Sequence, residues 1–412
     1  MVVTPGTPRL LRALNDRSAL NLLLEHGPLT RTRLGELSGL SKPTASQLLG
    51  RLEAAGLVEP AGTLAGAPGP SAQLYTINGR AGLAAGVDVV PHSASAEIVD
   101  LVGRRLGGAT VDLPRTVADR SPVRDVRAAL EAAATDAGIG LRSVRAVVVG
   151  AQGAYEAASD TLVYGGHMPG WSGPGLLESL HADLGMAVGV ENDVNLAAVA
   201  EHTAGLPQPA DCFALLWMGD GLGLAVHLGG VLHRGATGGA GEIGYMPVPD
   251  PEPASGGRGR PRTVALQDLV GGPAVLRLAR SHGIKARRPE VAVSRAVEHE
   301  AGDAFLAELA ARVAVGLATI VAVLDPDLVI LSGPVGRAGR TRLRDLVRAE
   351  LHRISPLHPR IAVSGVPGNP VLAGAVALAL GDCREQLFTT ADGSSRDPRD
   401  HRSTQRTNRS LR

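Results

Sequence analysis

A chain of 412 residues is longer than one ordinary domain, so two or three are expected, and an apolar fraction of 44% is ample for their cores. The formal charge is only +1, and nearly all the positive charge is arginine, since Lys42 and Lys285 are the only lysines. That bias reads as coding preference and gives no support to phosphate binding. Two cysteines, Cys212 and Cys383, exclude a disulfide framework and a cysteine-based zinc site.

The start, "MVVTPGTPRLLRALNDR", lacks the long apolar core of a signal peptide. The longest apolar run, Ala311 to Leu324, is short for a bilayer and contains Arg312. A cytoplasmic protein with no membrane association is expected.

In chain order, three helical patterns come first. Leu11, Leu14, Leu22 and Leu23 set a helix over about Leu10 to Glu25, ended by His26-Gly27-Pro28. A second starts at Thr30, a candidate N-cap, and runs to Gly39 with Leu34 and Leu37 inward. The third starts at Ser41, carries Pro43 in its first turn and stops at Gly56, with Ala45, Leu48, Leu49 and Leu52 inward. Two short helices joined by "SGLS", followed by the strand patterns "GLVEP" and "QLYTI", predict a winged helix-turn-helix over residues 1–80.

The positions of the third helix available to DNA are Ser41, Lys42, Thr44, Ser46, Gln47 and Arg51. Gln pairs with adenine, Ser and Thr reach base edges or phosphate, and Lys and Arg reach phosphate or guanine. A solvated polar face would carry the same residues; the order of helices, cap and wing favours DNA. Residues 1–60 hold seven Arg or Lys against five Asp or Glu, so binding as a homodimer or homotetramer, which multiplies phosphate contacts, is expected. The wing tip "AGTLAGAPGPSAQ" has no Arg, so wing contacts to bases are not expected.

From Leu83 strands alternate with helices. "GLAAGVDVV" and "SAEIVDLVG" read as paired strands, and "VRAVVVGAQG", "VGVEN" and "PDLVILSG" as short buried ones. "CFALLWMGDGLGLAVHLGGVLHRGATGG" reads as a hairpin region with Gly-rich turns. The layout is a mixed sheet flanked by helices, twice over.

The segments "MPGWSGPGLLESLHADLGMAVGVENDVNLAAVAEH", "GDGLGLAVHLGGVLHRGATGGAGEIGYMPV" and "DPDLVILSGPVG" together resemble the ROK family of repressors and sugar kinases. With the winged helix in front, the chain is similar to the family's transcriptional regulators. The resemblance implies an actin-like, two-lobed α/β domain over residues 81–384; the polar, apolar-poor composition of residues 385–412 predicts a disordered tail.

In the family's kinases the Asp of "END" is the base, here Asp193. The resemblance also implies phosphate loops and a zinc site, and here the chain departs from the pattern. The first loop, Asp-x-Gly-Gly-Thr in the family, reads Asp88-Val89-Val90-Pro91-His92. Val90 adds a branched side chain and Pro91 has no N–H to give a phosphate. The second loop, "MGDGLG" from Met218 to Gly223, puts Asp220 where a hydroxyl residue stands, and a carboxylate repels a triphosphate. "LSGPVG" sets Ser332 and Pro334 beside Gly333.

Tyr245 replaces the His after "GEIG", and "PDPEPASGGRGRPRTVALQDL" has no Cys, so no metal and no cofactor are expected. The effector contacts that the resemblance implies are Gly153, His167, Asn192, Asp193, Glu242 and Tyr245, with Gln267 in loose register with a family Glu. For Asn192, ligand contact and simple helix capping stay equally open.

Three functions compete. The first is a repressor of carbohydrate-related genes whose degenerate kinase domain senses a sugar or a related small ligand, with Asp193 a vestigial base. The second is an active sugar kinase with a fused DNA-binding domain. The third is a regulator whose cleft serves only as a scaffold.

Overall fold

The computed structural model describes residues 8–64, 71–165, 168–206, 210–249 and 263–390. The chain opens with α1 (Pro8–His26), β1 (Leu29–Thr30), α2 (Arg31–Ser38), α3 (Lys42–Ala54), β2 (Val58–Leu64) and β3 (Ala72–Ile77). Local chemistry sets these boundaries. Thr30 Oγ1 accepts from Arg33 N at 3.2 Å to cap α2, Gly39 ends that helix in left-handed backbone, and Ser41 caps α3. β1 and β2 both pair antiparallel with β3. Leu23, Leu34, Leu48, Leu49 and Leu52 are buried in one core, as their spacing predicted, and Leu20 joins them; Leu11 and Leu14, expected on the same face of α1, are instead exposed. The unit is a winged helix; most of its wing tip, 65–70, lies outside the described residues.

The first lobe follows: β4 (Leu83–Val90), β5 (Ser93–Asp100), β6 (Arg105–Asp112), α4 (Pro122–Ala137), β7 (Val144–Ala151), β8 (Ala154–Glu156), β9 (Thr161–Val163), α5 (Leu176–Leu184), β10 (Ala187–Asn192) and α6 (Asp193–Ala204). Its sheet has the order β10-β7-β4-β5-β6, with β10, β7 and β4 parallel and β5 and β6 antiparallel.

The second lobe contains β11 (Phe213–Met218), β12 (Leu222–Leu228), β13 (Val231–Leu232), β14 (Pro247–Pro249), β15 (Thr263–Ala265), α7 (Leu266–Val270), α8 (Gly272–Ser281), α9 (Pro289–Glu298), α10 (Asp303–Leu324), β16 (Leu328–Ser332), α11 (Gly333–Ile354) and β17 (Arg360–Val363). Its sheet repeats the scheme, with an antiparallel β13-β12-β11 run joined to parallel β16 and β17. The apolar run at 311–324 is the second half of α10 and not an isolated segment. By length and composition Glu300–Leu324 is long enough to cross a bilayer, but Phe305, Leu309, Val313 and Leu317 bury its inward face in the core of this lobe.

The last element, α12 (Pro370–Thr390), returns from the second lobe to the first and packs on β4, β7 and α6. The fit is close: a Cβ on Gly374 would lie 1.9 Å from Leu196 O. The expected start of a disordered tail at 385 is corrected here, because the helix continues through Thr390. Leu380, Cys383 and Leu387 share one face at helical spacing, and with Phe388 they join the buried cluster that holds Ala19, Leu20 and Leu23 of α1. Arg17 also donates from Nη1 to Glu385 Oε1 at 2.9 Å. Only residues 391–412 lie outside the described part of that tail.

Candidate functional site

Three carboxyls meet in the cleft between the lobes. Asp193 is the first residue of α6, and its Oδ1 accepts from Val194 N at 2.9 Å. Burial, then the charge of Asp88 and that of Glu242, push its pKa up to about 7. Asp88, on β4, is raised by burial, opposed by a 2.7 Å hydrogen bond from Asn369 Nδ2. Burial raises Glu242 as well. A carboxyl poised near neutrality both accepts and donates, which suits sugar hydroxyls; it equally suits a general base. A carboxyl near neutrality serves either role, so Asp193 alone does not separate ligand binding from catalysis.

At the expected first phosphate loop, β4 and β5 pair through Val90 and Ser93, so only Pro91 and His92 form the turn. The Pro91 carbonyl is occupied from behind: buried Arg120 donates from Nη1 to Pro91 O at 2.6 Å and from Nε to Asp125 Oδ2 at 2.8 Å. Trp171 Nε1 holds the same carboxylate oxygen at 2.9 Å. Arg120 thus ties the turn to the Met168–Trp171 loop. In the second Gly-rich turn, Gly219 N donates to Gly221 O at 3.0 Å and Gly272 N to Asp220 O at 3.1 Å. Asp220 borders a cavity of about 180 Å³ with Gly272, Arg288, Glu290 and Pro334 among its walls, and Arg288 pairs with Glu290.

The other expected contacts divide. Asn192 is the N-cap of α6: its Oδ1 accepts from Asn195 N at 3.0 Å, and its Nδ2 donates to Gly153 O at 3.0 Å. Of the two readings left open, capping describes what its side chain does here. Gly153 has φ +106°, and a Cβ there would lie 2.6 Å from Val163 O, so the turn needs glycine for shape. Tyr245 is exposed at the rim, its ring 5.9 Å from that of Tyr164. His167 lies outside the described residues. Gln267 is engaged elsewhere, accepting from Leu222 N at 2.9 Å.

Sequence reasoning missed three residues. Glu191 takes Asn195 Nδ2 at 2.9 Å and Arg234 Nε at 2.6 Å, linking β10 to the loop after β13. Asn369 caps α12, accepting from Val371 N at 3.0 Å while it bonds Asp88. Arg120 was missed because its contact with the turn, Pro91 O, lies 29 residues earlier. The one available signal for Glu191 and Asn369 was position: each stands at a strand-to-helix junction.

On the winged helix, Lys42, Thr44 and Gln47 are exposed along α3 and Ser46 is half-buried. Ser41 caps the helix, with its Oγ 2.8 Å from Thr44 Oγ1. Arg51 donates to the buried carboxylate of Asp16 at 2.7 Å, which ties α3 to α1. At the start of α2, Arg31 lies over the Tyr75 ring at 5.1 Å, and Arg33 pairs with Glu36 at 3.1 Å; neither was expected.

A winged helix fused to two actin-like lobes around a carboxyl-lined cleft defines the class: a DNA-binding unit on a kinase-type scaffold. Residues 84–381 match the model of the ROK family, and the chain belongs to that family; residues 13–63 match the MarR family model. The chain is 21% identical over 397 residues to a putative xylose repressor of a Caldicellulosiruptor species, covering 92% of this chain and 98% of the relative. It is similar in fold to a ROK family transcriptional regulator described as a homologue of the E. coli MLC protein, with a TM-score of 0.71, 17% identity, and coverage of 93% and 100%. It is also similar to a ROK family glucokinase from Streptomyces griseus solved with glucose and AMPPNP, with a TM-score of 0.58, 26% identity, and coverage of 72% and 99%.

Proposed function

We propose that this chain is a cytoplasmic, DNA-binding repressor of carbohydrate-related genes, and that its cleft senses a sugar or related polyhydroxy ligand without phosphorylating it. The observation that carries the reading is the path of α12. Its N-cap Asn369 bonds Asp88 in the cleft, and its last turns share a core with α1 of the winged helix. At about 1.5 Å per residue, its 21 residues extend about 31 Å, a direct span from cleft to DNA-binding unit. The likeness to a putative xylose repressor supports the same reading.

Kinase turnover is disfavoured by the site itself. Pro91 has no N–H to donate, Arg120 fixes the turn from behind, and Asp220 borders the cavity on the second Gly-rich turn. Lys42, Thr44 and Gln47 are proposed as the DNA-facing set, with a homodimer or homotetramer presenting two such helices to an operator. Asp193 and Glu242 are proposed as the hydroxyl-binding pair.

Footprinting on the chain's own upstream region, with and without a panel of pentoses and hexoses, tests the proposal. A protected site whose occupancy falls with one sugar is expected. Absence of any sequence-specific site refutes it. A coupled ADP-release assay over the same panel decides the kinase reading, since turnover that vanishes in Asp193→Asn would establish it.

A further inference from the structure

The chain has four tyrosines and an aromatic content of 2%. Tyr75 lies in the core of the winged helix. The other three gather at one rim of the cleft: Tyr155 on β8, Tyr164 just after β9, and Tyr245 three residues after Glu242. The Tyr155 hydroxyl is committed to Asp160 Oδ1 at 2.8 Å. Tyr164 and Tyr245 come from opposite lobes and meet with ring centroids 5.9 Å apart and planes at 50°. They are 55% and 67% exposed.

Two features make this pair more than a stray surface contact. An aromatic-poor chain leaves half of its tyrosines in water at one spot, where they gain little from burial. Tyr164 also holds φ +59°, a left-handed conformation that a bulky side chain adopts at a cost. That backbone sets its ring beside Gly239 of the second lobe, where a Cβ would lie 3.5 Å from Tyr164 Cε2. The faces of two such rings attract flat, weakly polar surfaces, either the C–H face of a sugar ring or an aryl group.

We propose that Tyr164 and Tyr245 form an aromatic subsite at the cleft rim, and that the ligand is a glycoside whose second ring, sugar or aryl, stacks there. The first ring lies deeper, with its hydroxyls on Asp193 and Glu242. A single ring seated among the buried carboxyls leaves the tyrosines in water; a two-ring ligand reaches both places. The inference rests on the sugar-sensor reading and names the ligand class for that site.

Calorimetric titration of the full chain tests it, using for several sugars the free form, the methyl glycoside, the phenyl glycoside and the corresponding disaccharide. For the recognised sugar, the phenyl glycoside or disaccharide should bind about tenfold more tightly than the methyl glycoside, at about threefold to tenfold per stacked ring. Tyr164→Ala and Tyr245→Ala should each remove that advantage, and Tyr164→Phe and Tyr245→Phe should restore it, because the ring and not the hydroxyl does the binding. Equal affinity for methyl and phenyl glycosides and the disaccharide, alanine variants that bind like the parent, or phenylalanine variants that fail to rescue would overturn the subsite while leaving a sugar sensor standing. If no member of the panel binds the parent chain, the sensor reading fails, and the subsite with it.

Discussion

Asp193→Asn should stabilise the protein, and by an amount that grows with pH. The Asp193 carboxyl is pushed from 3.8 to about 7 by burial and by its carboxylate neighbours. At 1.36 kcal/mol per pH unit, the ionised form is disfavoured by ~4 kcal/mol in the fold. A cleft partly open to water screens this, so ~2 kcal/mol is a working magnitude. The sign follows from linkage. A raised folded pKa gives stability that is fully present below pH 3.8 and is lost as pH rises through about 7. Asparagine keeps the size and the oxygen that accepts from Val194 N, but it never ionises. Its advantage over the parent should be near zero only below pH 3.8, ~0.8 kcal/mol at pH 5 and ~2 kcal/mol at pH 8.5, a shift of a few degrees in Tm. Scanning calorimetry at pH 5, 7 and 8.5 measures this directly, and operator affinity should not change. An offset equal at all three pH values would refute the claim that Asp193 sits in a carboxylate cluster.

Three further outcomes are expected. Glu385→Arg should cost under ~1 kcal/mol in stability, since both partners are about half exposed, yet it should weaken the effect of ligand on operator binding, with Arg17→Glu restoring it; anisotropy titrations with labelled operator read both. His227 is buried with no partner on either ring nitrogen, and burial lowers its pKa to about 4. The unfolded chain therefore takes up a proton first, and stability is lost as pH falls from 6.5 toward 4. His227→Leu should remove ~2 kcal/mol of that acid sensitivity in urea titrations at pH 7 and 4.5. Spin labels at Ser18, exposed on α1, should report a ligand-dependent distance between the two winged helices of a homodimer, and an unchanged distance despite loss of operator binding would contradict transmission by lobe movement.

The winged helix and most sheet strands were legible because their causes are local. Thr30 and Ser41 cap the helices they precede, and Leu48, Leu49 and Leu52 share one side of α3. β4, β5, β7, β10 and β16 stand out as short apolar runs. The end of α12 was not legible, because "REQLFTT" is polar on average and only its apolar phase, continued from Leu380 and Cys383, marks it as buried. In the cleft, sequence identified Asp193 and Glu242 but not what surrounds them. Asp88 finds Asn369 281 positions away, and Arg120 finds Pro91 directly and Trp171 only through the Asp125 carboxylate they share. Arg51's tie to Asp16, 35 residues earlier, was not legible either. Residue type fixed what these groups can do; only the fold decided which partner satisfies each of them.

The placement of α12 also constrains how a ligand can act. The helix packs on β4, β7 and α6, and with α1 it forms one continuous core, so winged helix and first lobe make a single body. The second lobe joins that body through two crossings, after α6 and after β17. These crossings touch: a Cβ on Gly365 would lie 3.2 Å from the Gly205 carbonyl carbon, and Glu201 of α6 accepts from Gly365 N at 3.3 Å. If a ligand bridges Asp193 and Glu242 as proposed, it holds one residue from each lobe, and its binding energy would act on the angle between them. Because α1 and α12 share one core, the winged helix would then follow the first lobe. Two copies paired through their second lobes would have their winged helices carried apart or together by closure, whereas copies paired through their first lobes would not. If the chain acts as proposed, an operator read by two recognition helices at fixed separation would be sensitive to the first arrangement alone.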